Sequence, residues 1–291
     1  MGWQQISLDI PRDRADATEG ALEAFGALSV TFADAGDEPI VEPGPGETPL
    51  WAGVRVTALF EADTDLAGLR EQLHRSLGSE PPAIEVTPLA DQAWERAWLD
   101  DFQPLCFGDD LWIVPTGFEP PDPDGVNLQF DPGLAFGTGT HPTTALCLAW
   151  LAANPPVGQR VIDYGCGSGV LAVAALRLGA VEAVGIDNDP QALVASEANA
   201  ARNGVSEQLA LRSTEAALPA PAPLVMANIV SGVLIDNAPR LSGLVEPGGR
   251  LILSGVLGHQ EAAVTAAFGP AFRFQRQEGE QGWLRLDGQA V

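Results

Sequence analysis

Lysine is missing from the 291-residue chain; all fifteen basic residues are arginine. Without an ε-amine there is no P-loop ATPase, no Schiff-base enzyme and no lysine general base. Basic residues are few in any case, fifteen against thirty-nine acidic ones, for a net charge of -24. That balance repels phosphate backbones and argues against nucleic acid as a direct ligand, whereas a cationic partner would be steered in. Cysteine is scarce as well. Cys106, Cys147 and Cys166 are odd in number and far apart, so neither a disulfide framework nor a CxxC zinc site is offered, and no metal is expected. No apolar run approaches the ~20 residues of a membrane span, and the N-terminus lacks a basic-then-apolar signal pattern. A cytoplasmic protein away from the membrane is expected.

What is present is a globular composition, 46% hydrophobic and 19% charged, in a chain long enough for two domains and a sizeable core. Its most informative stretch is Val161-Ile162-Asp163-Tyr164-Gly165-Cys166-Gly167-Ser168-Gly169, followed by a helical run to Leu178 and then Ala183-Val184-Gly185-Ile186-Asp187. This reads as a buried strand, a Gly-rich turn, a helix opening at Ser168 and a second buried strand ending in an acid. Such a unit brings a nucleoside against bare backbone, offers helix N–H groups to an anion, and lets Asp187 accept two ribose hydroxyls. A dinucleotide fingerprint would need its third glycine at position 170, which is Val170; the third glycine here is Gly169.

Before this unit, residues 1–89 alternate as β-α-β-β-α-β. Strands are expected over 4–10, 27–32, 54–60 and 83–86, and helices over 15–25 and 65–77, the second stacking Leu66, Leu69, Leu73 and Leu77. That order is ferredoxin-like, an α+β domain that usually serves as a partner platform. Gln92 to Phe102 sets Trp94, Trp98 and Phe102 four apart, a helix with an aromatic stripe that suits a linker packed on a neighbouring domain. A strand at Leu111–Val114 and a Pro-rich loop from Glu119 to Gly125 follow. Asn127 to Thr144 then reads as a loop in which glycines and threonines surround His141-Pro142 before a helix through Trp150. Either it closes over a ligand or it is a plain Asp-Pro-Gly turn.

Beyond Asp187, Asp189-Pro190 opens a helix that stops at Asn203-Gly204. Strands near 208–212 and 224–228, a helix over 231–244, a strand at 250–254 and a helix over 259–268 come next. Residues 272–277 and 283–286 close the chain as a hairpin. Strands alternating with helices at this spacing give a parallel sheet covered on both faces, finished by an antiparallel pair.

The turn Gly165-x-Gly167-x-Gly169, with an acid ending the next strand, resembles the cofactor loop of class I S-adenosylmethionine-dependent methyltransferases. Asp131-Pro132-Gly133-Leu134-Ala135-Phe136-Gly137-Thr138-Gly139-Thr140-His141-Pro142-Thr143-Thr144 is more specific still. It resembles the signature loop of one family, the methyltransferases of ribosomal protein L11 of the large subunit. Pro45-Gly46-Glu47-Thr48 and Trp94-Glu95-Arg96-Ala97-Trp98 extend the resemblance over nearly the whole chain. It implies a Rossmann-like α/β methyltransferase sheet with a C-terminal antiparallel hairpin over 109–291, a helical linker over 90–108 that lets the front domain reposition, and substrate recognition by the ferredoxin-like domain of residues 1–89. It implies S-adenosyl-L-methionine as cofactor, contacted by Thr144, Gly165, Gly167, Asp187 and Asn228. Phe136, Gly137 and Thr138 would lie beside the methyl group and the incoming amine, with Asn228, Phe136 and Thr138 as the catalytic set. The implied partner is ribosomal protein L11, free of the ribosome and met by a monomer, with its α-amine and lysine ε-amines as acceptors.

In-line attack on a sulfonium needs a neutral amine held at ~3 Å. A lysine of pKa ~10.4 is neutral about one time in a thousand at neutral pH, so desolvation or a nearby acceptor must lower that cost. Asn228 is a candidate acceptor. It is followed by Ile229-Val230 instead of the Pro-Pro-aromatic clamp of enzymes that methylate planar nitrogens, which favours flexible amines. His141 is a candidate general base, although water can take the proton. Methylation of another protein or a small amine, and a nucleoside-binding regulator without catalysis, are the competing readings.

Overall fold

The computed structural model describes residues 2–36, 50–89, 103–130 and 141–291. Contacts divide the chain into two compact units, residues 1–97 and 98–291. The first carries β1 (Trp3–Pro11), α1 (Ala15–Ala24), β2 (Ser29–Asp34), β3 (Gly53–Glu61), α2 (Leu66–Leu77) and β4 (Glu85–Leu89). Its antiparallel sheet has the order β2-β3-β1-β4. Alternation in β1 and β3 sends Ile6, Leu8, Ile10, Val54, Val56, Ala58 and Phe60 to one face, where Leu22 of α1 and Leu69 and Leu73 of α2 complete a core. Asp65 caps α2 by accepting from the Ala67 N–H, and Gly78, at φ 64°, ends it. Leu66 departs from the expected stack: as the first residue of α2 it points past the core and is 38% exposed.

The second unit contains β5 (Leu105–Phe107), β6 (Leu111–Pro115), β7 (Val126–Phe130), α3 (Pro142–Ala153), β8 (Arg160–Tyr164), α4 (Val170–Arg177), β9 (Glu182–Asp187), α5 (Pro190–Arg202), β10 (Leu209–Ser213), β11 (Ala222–Asn228), α6 (Ser231–Asp236), α7 (Ala238–Leu244), β12 (Val245–Leu257), α8 (Glu261–Phe268), β13 (Phe272–Glu278) and β14 (Trp283–Ala290). A seven-stranded sheet runs β10-β9-β8-β11-β12-β14-β13, parallel through β12 and antiparallel at β14 and β13. β5, β6 and β7 make a separate small sheet. One apolar cluster fills the face beneath α3, α4 and α5, and another the face beneath α6, α7 and α8. Val161 and Ile162 of β8, both buried, point into opposite clusters; each contributes roughly 1.5–3 kcal/mol of burial. No helix among the described residues is long and apolar enough to cross a membrane.

Several boundaries differ from the sequence-based expectation. The helix after the glycine turn begins at Val170, not Ser168, because Gly169 sits at φ 77° and cannot continue a right-handed helix. Val126–Phe130, expected to open the loop, is a strand paired in parallel with β6; Leu128 and Phe130 are its buried positions. Leu105–Phe107, expected to end a helical linker, is also a strand, with Phe107 buried and Cys106 exposed in a period of two. The helix expected over 231–244 breaks at Asn237, since Pro239 has no N–H and its ring clashes with the carbonyl four residues back. The Pro43–Gly46 excursion, the aromatic stripe at Trp94, Trp98 and Phe102, and residues 131–140 lie outside the described residues.

Candidate active site

The chain leaves β8 toward β9 on one side and reaches β11 on the other, so the C-terminal ends of these strands form a crevice at a change of direction. Gly165, Gly167 and Gly169 follow β8 at φ 75°, 52° and 77°. A side chain in that region costs about 1–2 kcal/mol per residue. Gly165 carries a second constraint: a Cβ there would collide with the Ile229 side chain, and at Gly169 it would lie 2.8 Å from Ser196 Oγ. The turn is clamped from α5, where Ser196 Oγ donates to the Gly167 carbonyl at 2.8 Å and Asn199 Nδ2 to the Ser168 carbonyl at 2.9 Å. Both residues are buried. The sequence signal for them was two polar residues three apart in a helix otherwise rich in alanine.

Asp187, at the end of β9, accepts from the Gly167 N–H at 2.9 Å through Oδ2 and from the Asp189 N–H at 3.0 Å through Oδ1. Each oxygen keeps a lone pair, which is what two ribose hydroxyls require. Asp163, one strand over and 1% exposed, accepts from the Ala172 N–H at 3.1 Å through Oδ2. Its Oδ1 is buried without a hydrogen-bond partner among the described residues. Burial pushes its carboxyl up to about 7 against the opposing pull of the Ala172 bond.

Asn228 ends β11 and donates from Nδ2 to Thr144 Oγ1 at 3.1 Å. That bond leaves Asn228 Oδ1 as the acceptor. Thr144 is fully buried in the first turn of α3. His141 caps the same helix: Nδ1 accepts from the Thr143 N–H at 3.3 Å and lies 2.7 Å from Thr143 Oγ1, while the ring packs edge-on against Trp283 at 5.2 Å. Burial holds its imidazole below the usual value, so the neutral, accepting form is favoured. The N-cap of α3 is thus His141.

At the ends of β8 and β9 lies a cavity of about 500 Å³, lined by Gly165, Asp187, Asn188, Thr214, Ile229 and Val230 and by Tyr164, Val233, Asn237 and Arg240. Tyr164 OH donates to Asn237 Oδ1 at 3.0 Å, and the Arg240 guanidinium sits 5.7 Å from the ring centroid. Of the cofactor residues expected from sequence, Gly165 and Asp187 line the cavity, Gly167 supports Asp187, and Thr144 and Asn228 pair with each other. Phe136 and Thr138 lie outside the described residues. Tyr164, Asn237 and Arg240 were missed, because their convergence depends on the break between α6 and α7. A cavity of about 450 Å³ beside Pro155, Pro223 and Pro247 lies near the N-terminal ends of β8 and β11, away from this chemistry.

The model of the family described as ribosomal protein L11 methyltransferase (PrmA) matches residues 2–290. A ribosomal protein L11 methyltransferase from Azotobacter vinelandii is 53% identical over 289 residues, covering 99% of both chains. One from Pseudomonas aeruginosa is 51% identical over 289 residues, covering 99% of this chain and 98% of its own. The chain belongs to the ribosomal protein L11 methyltransferase family. A crystal structure of a ribosomal protein L11 methylase from Lactobacillus delbrueckii subsp. bulgaricus has 30% identity and a TM-score of 0.60, covering 65% of this chain and 99% of that one.

For an L11 methyltransferase family member the implied cofactor is S-adenosylmethionine, and the residues present fit it. The cavity lies within the size range of small-molecule sites. Gly165 offers backbone where any side chain would fill the space. Asp187 would hold the ribose diol, Ile229 and Val230 would flank the base, and acidic groups suit a ligand carrying a sulfonium and an ammonium. When bound, S-adenosylmethionine supplies an electrophilic methyl group. The chain's own residues would orient it, with Asn228 Oδ1 at the end of β11 as a candidate acceptor.

Proposed function

We propose that this chain transfers methyl groups from S-adenosylmethionine to amines of ribosomal protein L11, namely its N-terminal α-amine and lysine ε-amines. The observation that carries the amine assignment is the Thr144–Asn228 bond. It spends the amide N–H on Thr144 and leaves the carbonyl oxygen to accept from an incoming N–H, and no proline clamp follows to hold a planar nitrogen. An amine that donates to Asn228 Oδ1 while neutral has its lone pair free for attack. Phe136 and Thr138 complete the catalytic set in this reading, and Thr144, Gly165, Gly167 and Asp187 hold the cofactor.

The first unit, with its β-α-β-β-α-β order, is read as a ferredoxin-like recognition domain over residues 1–89. Residues 90–108 are read as its linker, ending in the strand β5, residues 109–291 as the methyltransferase domain, and the terminal β13–β14 hairpin closes its sheet. The enzyme works as a cytoplasmic monomer on L11 free of the ribosome, and its net charge of -24 disfavours direct contact with ribosomal RNA. Incubation with labelled methyl donor and unmethylated L11, followed by peptide mass spectrometry, tests the assignment. Whole-methyl mass increments at the N-terminus and at lysines are expected; label on amide or ring nitrogens, or none, would refute it.

A further inference from the structure

On the catalytic unit, away from the cofactor cavity, a groove of about 500 Å³ runs between β5 and α3. Its floor is Pro142, Ala145, Leu146 and Ala149, the i, i+3, i+4, i+7 face of α3, none of them buried. The opposite face of that helix is buried core, including Thr144, Cys147 and Leu148. A helix apolar on all sides is complete only when both faces are covered. The facing wall is β5, which pairs only with β6 among the described residues and so leaves one edge of backbone donors and acceptors open.

The rim carries charge of one sign. Glu280 lines the groove at one end, and no basic residue lines it among the described residues. Asp109 and Asp110 follow β5 after Gly108. Their carboxylates and that of Asp122 lie close enough to the exposed Cys106 thiol to add to the upward push of its partial burial. An apolar floor, an open strand edge and an acidic rim together fit an extended chain of basic character: its backbone pairs with β5, lysine stems lie on the apolar floor, and ammonium heads reach the carboxylates. Pro142, at the groove, is two residues from Thr144, which holds Asn228 from the other face of α3. One helix therefore joins the groove to the reacting centre.

Resting on the function proposed above, we infer that this groove seats an extended, lysine-bearing segment of the acceptor protein beside the amine being methylated. Ala149 is exposed and outside the catalytic set, so Ala149→Arg places a cation in the groove without touching the cofactor site. With unmethylated L11 as acceptor, Ala149→Arg is expected to raise KM about tenfold or more while leaving affinity for S-adenosylmethionine unchanged, and Ala149→Glu, of similar bulk, is expected to raise it far less. Saturating L11 should also slow maleimide alkylation of Cys106, read on the Cys106 peptide by mass spectrometry; Cys147 and Cys166 are buried. Unchanged KM in both variants with an unprotected Cys106, while the wild type methylates L11, would overturn the groove assignment and leave the function standing. Equal KM increases from Arg and Glu, or a Cys106 that does not react even in the free protein, would mean bulk or another part of the chain explains the site, and would also overturn it. No methyl transfer by the wild type would remove the function and this inference together.

Discussion

At the residue scale, Asp163 and Asp187 show how neighbouring carboxylates take different work from their surroundings. Asp187 is held by two backbone N–H groups at the crevice, whereas Asp163 is enclosed with one oxygen unpaired among the described residues. Burial pushes the Asp163 carboxyl from 3.8, the value of a free aspartate, up to about 7, so between those values the native state holds a proton that the unfolded state has lost. Stability therefore falls as pH rises through that window, and the penalty is constant above it. Asp163→Asn keeps an acceptor for the Ala172 N–H and removes the charge. The variant is expected to exceed wild type by on the order of a few kcal/mol at pH 8 and by much less near pH 5. Urea denaturation at the two pH values checks this, and an equal difference at both would show that the carboxyl is not the source. The sequence displayed both acids plainly; what it could not display was that one of them lacks a partner, which is a property of packing.

At the element scale, the strand–turn–helix–strand unit from Val161 to Asp187 was legible because every signal in it is local: apolar runs, glycines where φ is positive, and an acid at a strand end. Helix α5 was equally readable, since Asp189, Pro190, Asn203 and Gly204 mark its ends. β7 was not, because Asn127 and Gln129 made a strand look like the start of a polar loop. The inward positions, Leu128 and Phe130, matter only once β6 lies beside them. The capping of α3 by His141 was also hidden, as histidine is not among the usual N-cap residues. It gives the imidazole a positional role. His141→Ala is expected to cost about 1 kcal/mol of stability, whereas His141→Asn, a good cap without a titrating ring, should restore both stability and turnover. Thermal unfolding and steady-state methylation check the pair. A folded His141→Asn variant without turnover would place the imidazole in the proton transfer instead.

At the scale of the whole molecule, a net charge of -24 with no lysine describes a protein that attracts cationic partners and offers no side-chain amine of its own to the methyl donor. Steering of this kind acts over a Debye length of about 10 Å at 0.1 M salt, so KM for L11 should rise with ionic strength while affinity for the cofactor changes little. A KM independent of salt would mean that recognition is apolar throughout. All of this depends on the methyl donor binding at the ends of β8 and β9. Isothermal titration of S-adenosylmethionine into wild type and into Asp187→Ala tests that most directly. Saturable heat with one site per chain is expected for wild type, with affinity at least about tenfold weaker once the ribose acceptor and the anchor of the Gly167 N–H are gone. No heat with wild type, or equal affinity in the two proteins, would contradict it.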